Sequence, residues 1–172
     1  MSVNIREGLI SKEQVDKIKD AYRDRLVESS DRAGFFESFG DQIHPSMLLA
    51  IALSKNEIEQ EYDVILDDYN LGVVKLVEGA FNGLHSDMYN LDGSDHSDGS
   101  ERKDELEFSA ILYLSTHGVD FTGGELVFPQ HDLKINPESG TLVFFRGDLD
   151  HTHKVRHILS GERYAIVMFF GK

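Results

Sequence analysis

Val73-Val74-Lys75-Leu76-Val77-Glu78-Gly79-Ala80-Phe81-Asn82-Gly83-Leu84-His85-Ser86-Asp87 is the stretch on which the reading of this chain turns. It opens with an apolar, β-branched run of the kind that fits a pleated, half-buried strand. A glycine-containing turn follows, and then His85-Ser86-Asp87. In an extended chain, residues i and i+2 project to the same side. His85 and Asp87 can therefore present an imidazole and a carboxylate to one point. These are two of the three groups of a facial 2-His-1-carboxylate metal site. Taken alone, the tripeptide reads better as a polar loop after a strand, and only a third ligand downstream in the right context would tip the reading to a metal site.

The C-terminal part offers one. Gly140–Phe145 reads as a strand and Arg146–Asp150 as a turn. His151-Thr152-His153-Lys154-Val155 follows, then Ser160-Gly161-Glu162-Arg163, then the apolar run Tyr164–Phe170. A histidine entering one strand and an arginine opening the next make a two-part site. The imidazole completes a metal triad, and the planar guanidinium fork suits a carboxylate. The expected ligand is a dicarboxylic acid that also chelates the metal.

Five elements, in order, carry a family resemblance. They are His85-Ser86-Asp87, Ala110–Leu114, Phe121-Thr122-Gly123-Gly124-Glu125-Leu126, His153-Lys154-Val155 and Gly161-Glu162-Arg163. Over residues 73–172 the chain resembles the prolyl 4-hydroxylase-like 2-oxoglutarate- and Fe(II)-dependent dioxygenases. Their pattern is H-x-D, a strand ending near Y-L, a G-G-E-L turn, and H-x-V followed by G-x-R. The arginine lies 163 − 153 = 10 residues beyond the distal histidine, as the family pattern asks.

The resemblance implies that His85, Asp87 and His153 hold Fe(II), with His151 the rival for the third place. It implies no catalytic side chain beyond the iron ligands. It assigns Arg163 to the distal carboxylate of 2-oxoglutarate and gives the Tyr113 hydroxyl the same target. It implies O2 as the oxidant and leaves room for ascorbate as an auxiliary. The implied reaction couples decarboxylation of 2-oxoglutarate to succinate with hydroxylation of an unactivated C–H bond. A prolyl residue of a protein or peptide is the default substrate. A free amino acid or small metabolite is the alternative. Many relatives also carry a tyrosine shortly before H-x-D, where Val77 stands nearest here.

Composition sets the outer limits. The 172 residues suit one domain, 1–172, with helical support in 1–70 and a β core in 71–172. Seventeen basic residues against 31 acidic ones leave a net charge of −14. That opposes nucleic-acid binding through a basic surface, and docking on an anionic membrane. There is no cysteine, so no disulfide. No apolar run is long enough to span a membrane, and Met1–Leu9 lacks a signal-peptide pattern. The expectation is a soluble, cytoplasmic protein.

Along the chain, Ser11-Lys12-Glu13-Gln14 is a capping-box pattern, and Val15, Ile18, Tyr22 and Leu26 follow at helical spacing. The spacing predicts a helix from Lys12 to Glu28. Residues 29–44 read as a loop, pinned by Phe35, Phe36 and Phe39, with His44 a loop or capping residue. Pro45 opens a second helix to Asp63, with Met47, Leu48, Ile51, Ile58, Tyr62 and Ile65 as its apolar stripe.

Residues 88–107 are polar, acidic and rich in Gly and Ser; a loop this long is usually functional. Its aspartates do not fit the EF-hand pattern. By resemblance, residues 90–104 are expected to form a lid, with Tyr89, Asn90 and Asp92 nearest the substrate.

From Phe108 the chain is β. Phe108, Ala110, Leu112 and Leu114 share one face of a strand, and Ser109, Ile111 and Tyr113 share the other, as a pocket wall should. Further strands are expected at Glu125–Pro129, Leu133–Ile135, Thr141–Phe145, His153–Ile158 and Arg163–Phe170, with Gly123-Gly124 a turn. The fold class is mainly β with flanking α. Its core is a double-stranded β-helix, a jelly roll of cupin type, with the N-terminal helices packed outside.

Two other classes compete. A cupin-like binding protein could hold a metal without oxidising anything, but it would have no use for a carboxylate clamp such as Arg163. Nucleic-acid repair dioxygenases carry a second arginine six residues after the first, where this chain has Phe169.

Overall fold

The computed structural model describes residues 2–23, 33–38 (as backbone), 43–94 and 106–172. In chain order the elements are β1 (Asn4–Arg6), α1 (Lys12–Tyr22), β2 (Ala33–Ser38), α2 (Pro45–Tyr62), β3 (Asp68–Val77), β4 (Asn82–His85), β5 (Leu106–Tyr113), β6 (Phe121–Gly123), β7 (Leu126–Phe128), β8 (Leu133–Ile135), β9 (Leu142–Arg146), β10 (His153–Val155) and β11 (Ile158–Gly171).

β11 is the spine. It pairs antiparallel with β3 on one side and β5 on the other, giving a larger sheet in the order β1-β9-β5-β11-β3-β2, with β6 also on β11. A smaller sheet runs β4-β10-β7-β8. Two-residue alternation sorts the side chains of the larger sheet into two cores. Tyr164, Ile166, Met168 and Phe170 join Phe108, Ala110, Leu112 and Leu114 against the helices. Ala165 joins Ile111, Tyr113, Val143 and Phe145 in the space between the sheets, where Leu126, Phe128, Ile135 and Val155 of the smaller sheet meet them. This is the expected double-stranded β-helix with helices outside, and both expected faces of β5 are found.

The helices form for the expected reasons, with corrections in detail. Ser11 caps α1, its hydroxyl accepting from the Gln14 amide at 3.2 Å. The reciprocal half of the capping box is not made, because the Gln14 side chain instead donates to the Ser46 carbonyl at the start of α2. Val15, Ile18 and Tyr22 are buried, while the expected end at Glu28 lies outside the described residues. His44 does cap α2, its Nδ1 accepting from the Ser46 amide. Asp63 ends that helix in the left-handed conformation, φ 53°. Ile65 therefore lies beyond the helix and is exposed, and Leu48 lies off the buried Met47–Ile51–Ser54–Ile58 face and is also exposed.

Two further expectations are corrected. Residues 29–44 are not wholly loop, because Ala33–Ser38 pairs with β3 from Leu76 to Leu71. The phenylalanine side chains proposed as anchors there lie outside the described residues. β11 also begins five residues earlier than expected, at Ile158. Ser160-Gly161, which lies outside both expected strands, forms an irregular part of the strand paired with β6, with Gly161 at φ 79°.

Candidate functional site

β4 and β10 pair so that His85 stands opposite His153. Directly opposed residues are the closest side-chain neighbours two strands can offer. The imidazole centroids are 4.3 Å apart. Just past the end of β4, Asp87 places Oδ1 3.4 Å from His85 Nε2 and 3.8 Å from His153 Nε2. One donor atom from each of the three residues lies within 4.8 Å of the others, so together they could hold a metal ion.

The orientation of the two rings is fixed from behind. His85 Nδ1 lies 2.8 Å from the Gly83 carbonyl oxygen, and His153 Nδ1 lies 3.0 Å from that of His151. A carbonyl oxygen can only accept, so each Nδ1 carries the hydrogen. Nε2 of each ring therefore faces Asp87 and, in the neutral form that binds a metal, would offer that metal its lone pair.

Electrostatics bind the three together. Burial pushes the His85 imidazole down, but Asp87 and the Gly83 carbonyl outweigh it and raise its pKa above the ordinary histidine value. Burial would raise the Asp87 carboxyl, yet His85 and His153 hold it below the ordinary value, with the buried Ser109 hydroxyl assisting. His153 is held low by burial, which outweighs the Asp87 charge. Two imidazoles and one carboxylate are the donor set that non-haem Fe(II) takes, leaving other positions open.

His151, the rival ligand, is turned away from this cluster. Its Nδ1 lies 2.6 Å from Asp148 Oδ1, and its ring stacks between His131 and Phe145.

Arg163 opens towards the space between the sheets. It sits two residues before Ala165, which pairs with Tyr113, so Arg163 and Tyr113 share that interior face. Its Nη2 donates to the Tyr113 hydroxyl at 3.2 Å, and its guanidinium carbon lies 4.9 Å from the tyrosine ring centroid. Arg163 is 3% exposed and Tyr113 is fully buried. The Arg163 Nε has no partner, and no carboxylate pairs with the guanidinium among the described residues. Burial raises the Tyr113 phenol despite the nearby guanidinium, so it keeps its proton and can donate it. A buried guanidinium beside a hydroxyl proton could receive a carboxylate.

Gly161 explains why a glycine must precede this arginine by two. At φ 79° it lies against the Asp120–Phe121 backbone, where an added Cβ would clash with the Asp120 carbonyl oxygen. The expected lid is described only at its start. Asn90–Ser94 forms a turn closed by Asn90 N–H to Ser94 O at 2.8 Å and by the Asp92 carboxylate. Tyr89 lines a cleft of about 270 Å³ with Gly93, Asp148, Leu149 and Asp150. Residues 95–104 of the expected lid lie outside the described residues.

A double-stranded β-helix with two histidines and an aspartate at one end and a buried arginine between its sheets defines an oxygenase-type scaffold. The chain belongs to the 2OG-Fe(II) oxygenase superfamily, whose family model matches residues 71–171. Among curated relatives, 2-oxoglutarate and iron-dependent oxygenase domain-containing protein 3 of Rattus norvegicus is 35% identical over 67 residues, 38% of this chain and 21% of that protein. Prolyl 3-hydroxylase 2 of Gallus gallus is 33% identical over 69 residues, 37% of this chain and 10% of that protein. The chain thus matches about a fifth or less of the length of these relatives.

Solved structures share the fold throughout. The viral collagen prolyl hydroxylase of Paramecium Bursaria Chlorella virus-1, in a 2-oxoglutarate complex, superposes with a TM-score of 0.76 at 20% identity, covering 99% of this chain and 96% of that one. A Pseudomonas putida prolyl-4-hydroxylase gives 0.75 at 20%, covering 99% and 92%. Among the described residues, no helix is long and apolar enough to cross a membrane.

Proposed function

We propose that this protein is a 2-oxoglutarate- and Fe(II)-dependent hydroxylase acting on a prolyl residue of a protein or peptide. The observation that carries the reading is Arg163, a buried guanidinium with no carboxylate partner among the described residues. A buried charge left unpaired costs several kcal/mol, so the fold keeps it for an anion that arrives from outside. The 5-carboxylate of 2-oxoglutarate fits that place, with the Arg163 fork and the Tyr113 hydroxyl as donors.

His85, Asp87 and His153 would hold Fe(II) through two Nε2 atoms and one carboxylate. When bound, the iron with 2-oxoglutarate and O2 supplies the oxidising power to hydroxylate an unactivated C–H bond. The chain's own part is placement. The Gly83 and His151 carbonyls fix the tautomers, so both lone pairs meet at one point. Asp87 would balance part of the metal charge. Ile111, Val143, Phe145 and Leu126 give the interior between the sheets an apolar lining, and such a low-dielectric setting would strengthen an Arg163–carboxylate pairing.

The prolyl assignment draws on the names of the relatives and structural neighbours. Its test is 2-oxoglutarate turnover against a proline-containing peptide library and against free amino acids, with mass spectrometry for added oxygen. Oxygen added to peptidyl proline supports the reading. Oxygen added only to a free amino acid would replace it with the small-metabolite alternative.

A further inference from the structure

One short turn touches both halves of the triad. The Gly147 carbonyl accepts from the Ser86 hydroxyl at 2.8 Å and from the Met88 amide at 3.0 Å, on either side of Asp87. Four residues later, the His151 carbonyl accepts the Nδ1 hydrogen of His153. The orientation of His153 therefore depends on where the His151 backbone is held. Asp148 holds it twice: its carbonyl accepts from the His151 amide at 3.1 Å, and its carboxylate lies 2.6 Å from His151 Nδ1. A carboxylate can only accept, so that Nδ1 carries a hydrogen.

The His151 ring, 1% exposed, cannot swing away from this position. It stacks on His131 at 5.0 Å and 19°, and on Phe145 at 6.0 Å and 26°. His131 in turn reaches the Asp150 carbonyl at 2.8 Å, and the Thr152 hydroxyl donates to Gln130 at 3.0 Å. The 3-10 turn Leu149–His151 is thus anchored to its neighbours on several sides.

We propose that Asp148 and His151 form a positioning pair for the metal site, acting through the His151 carbonyl on His153. The pair does not touch the metal. The Asp148 carboxylate fixes the His151 side chain, the side chain fixes its own carbonyl, and the carbonyl fixes the tautomer and tilt of His153. Partners one step removed from a metal typically change its affinity by about 10–100-fold when lost. The role rests on the metal site proposed above.

The test uses the full chain and Co(II) as the probe, titrated by its visible absorption, with thermal unfolding and circular dichroism of each metal-free variant alongside. Asp148→Ala should raise the Co(II) dissociation constant by about 10–100-fold. Asp148→Asn should stay close to the parent, because the amide oxygen accepts the same hydrogen bond. His151→Phe keeps the aromatic stack but has no Nδ1 hydrogen, so it should match Asp148→Ala. The double variant should be no weaker than either single one, since both break one linkage. At saturating metal, the apparent 2-oxoglutarate constant of Asp148→Ala should match the parent, because Arg163 and Tyr113 are untouched.

A folded Asp148→Ala protein with parental Co(II) affinity would overturn the pair. Equal loss in Asp148→Asn and Asp148→Ala, or additive losses in the double variant, would overturn it as well. A parent protein that binds no Co(II) would instead overturn the proposed metal site itself, and this role with it.

Discussion

His85 and His153 face each other across the β4–β10 ladder, their rings 4.3 Å apart. β4 lies at the edge of the smaller sheet, and among the described residues its one strand partner is β10. Asn82, Gly83 and Leu84 are all exposed, so little apolar burial holds that strand. A metal bound by His85, Asp87 and His153 would staple the edge strand to its neighbour.

Metal should therefore stabilise the fold, and most of all β4. A ligand at about 100 times its dissociation constant adds about 2.7 kcal/mol to the native state. Thermal unfolding with Ni(II) against a chelator should show a higher Tm with metal, and hydrogen exchange should slow at residues 82–88. An unchanged Tm and unchanged exchange at saturating Ni(II) would mean that the cluster does not hold the ion.

His85→Ala, Asp87→Ala and His153→Ala should each abolish Fe(II)-dependent succinate formation, because each removes one donor from the triad. His151→Ala should recover activity as iron is raised, since its side chain points at Asp148 and not into the cluster. The decisive comparison is succinate formation by the two histidine variants across an iron titration. An active His153→Ala beside a dead His151→Ala would reverse the assignment.

Gly161→Ala should destabilise the fold. The left-handed conformation costs a non-glycine residue about 1–2 kcal/mol, and the new Cβ would also press on the Asp120 carbonyl. Because that contact is backbone, relief requires β6 and β11 to separate next to Arg163. The checks are Tm and the apparent 2-oxoglutarate constant. A Tm equal to that of the parent would show that this bulge is soft.

Much of this arrangement was legible because strands count by twos. Parity put Ser109, Ile111 and Tyr113 on the interior face, whereas His85 and Asp87 converge although Asp87 lies past the end of β4. What parity could not show was which strands lie side by side, so β2 was hidden in a segment that reads as loop. Ser160-Gly161-Glu162 carries no strand pattern of its own, and only pairing with β6 at Ser160 and Gly161 and with β3 at Glu162 reveals it as strand. The choice between His151 and His153 came from the family pattern. The contribution of His151 was invisible because it is made by a backbone carbonyl, which every residue type carries. Ser86 stands at the variable position of H-x-D, where the pattern asks for no residue type, yet its buried hydroxyl ties that tripeptide to Gly147.

Arg163 gives the sharpest test of the cosubstrate site. Its guanidinium is buried beside Tyr113 with Nε unpartnered, so a bound carboxylate would meet it with little competition from water. Removing one partner of a buried pair costs roughly 3–5 kcal/mol, or about two to three and a half decades in affinity at ~1.4 kcal/mol per decade. Arg163→Ala should therefore raise the apparent 2-oxoglutarate constant by at least about a hundredfold. Metal binding should change little, since Arg163 makes no contact with His85, Asp87 or His153. Arg163→Lys should fall between, because lysine keeps the charge but loses the fork. Tyr113→Phe should cost less, about 1–3 kcal/mol, for one lost donor to a charged group. The measurement is a 2-oxoglutarate titration of succinate production at saturating iron, with Co(II) affinity measured in parallel. An unchanged titration for Arg163→Ala would place the carboxylate elsewhere and leave the buried guanidinium without a ligand to explain it.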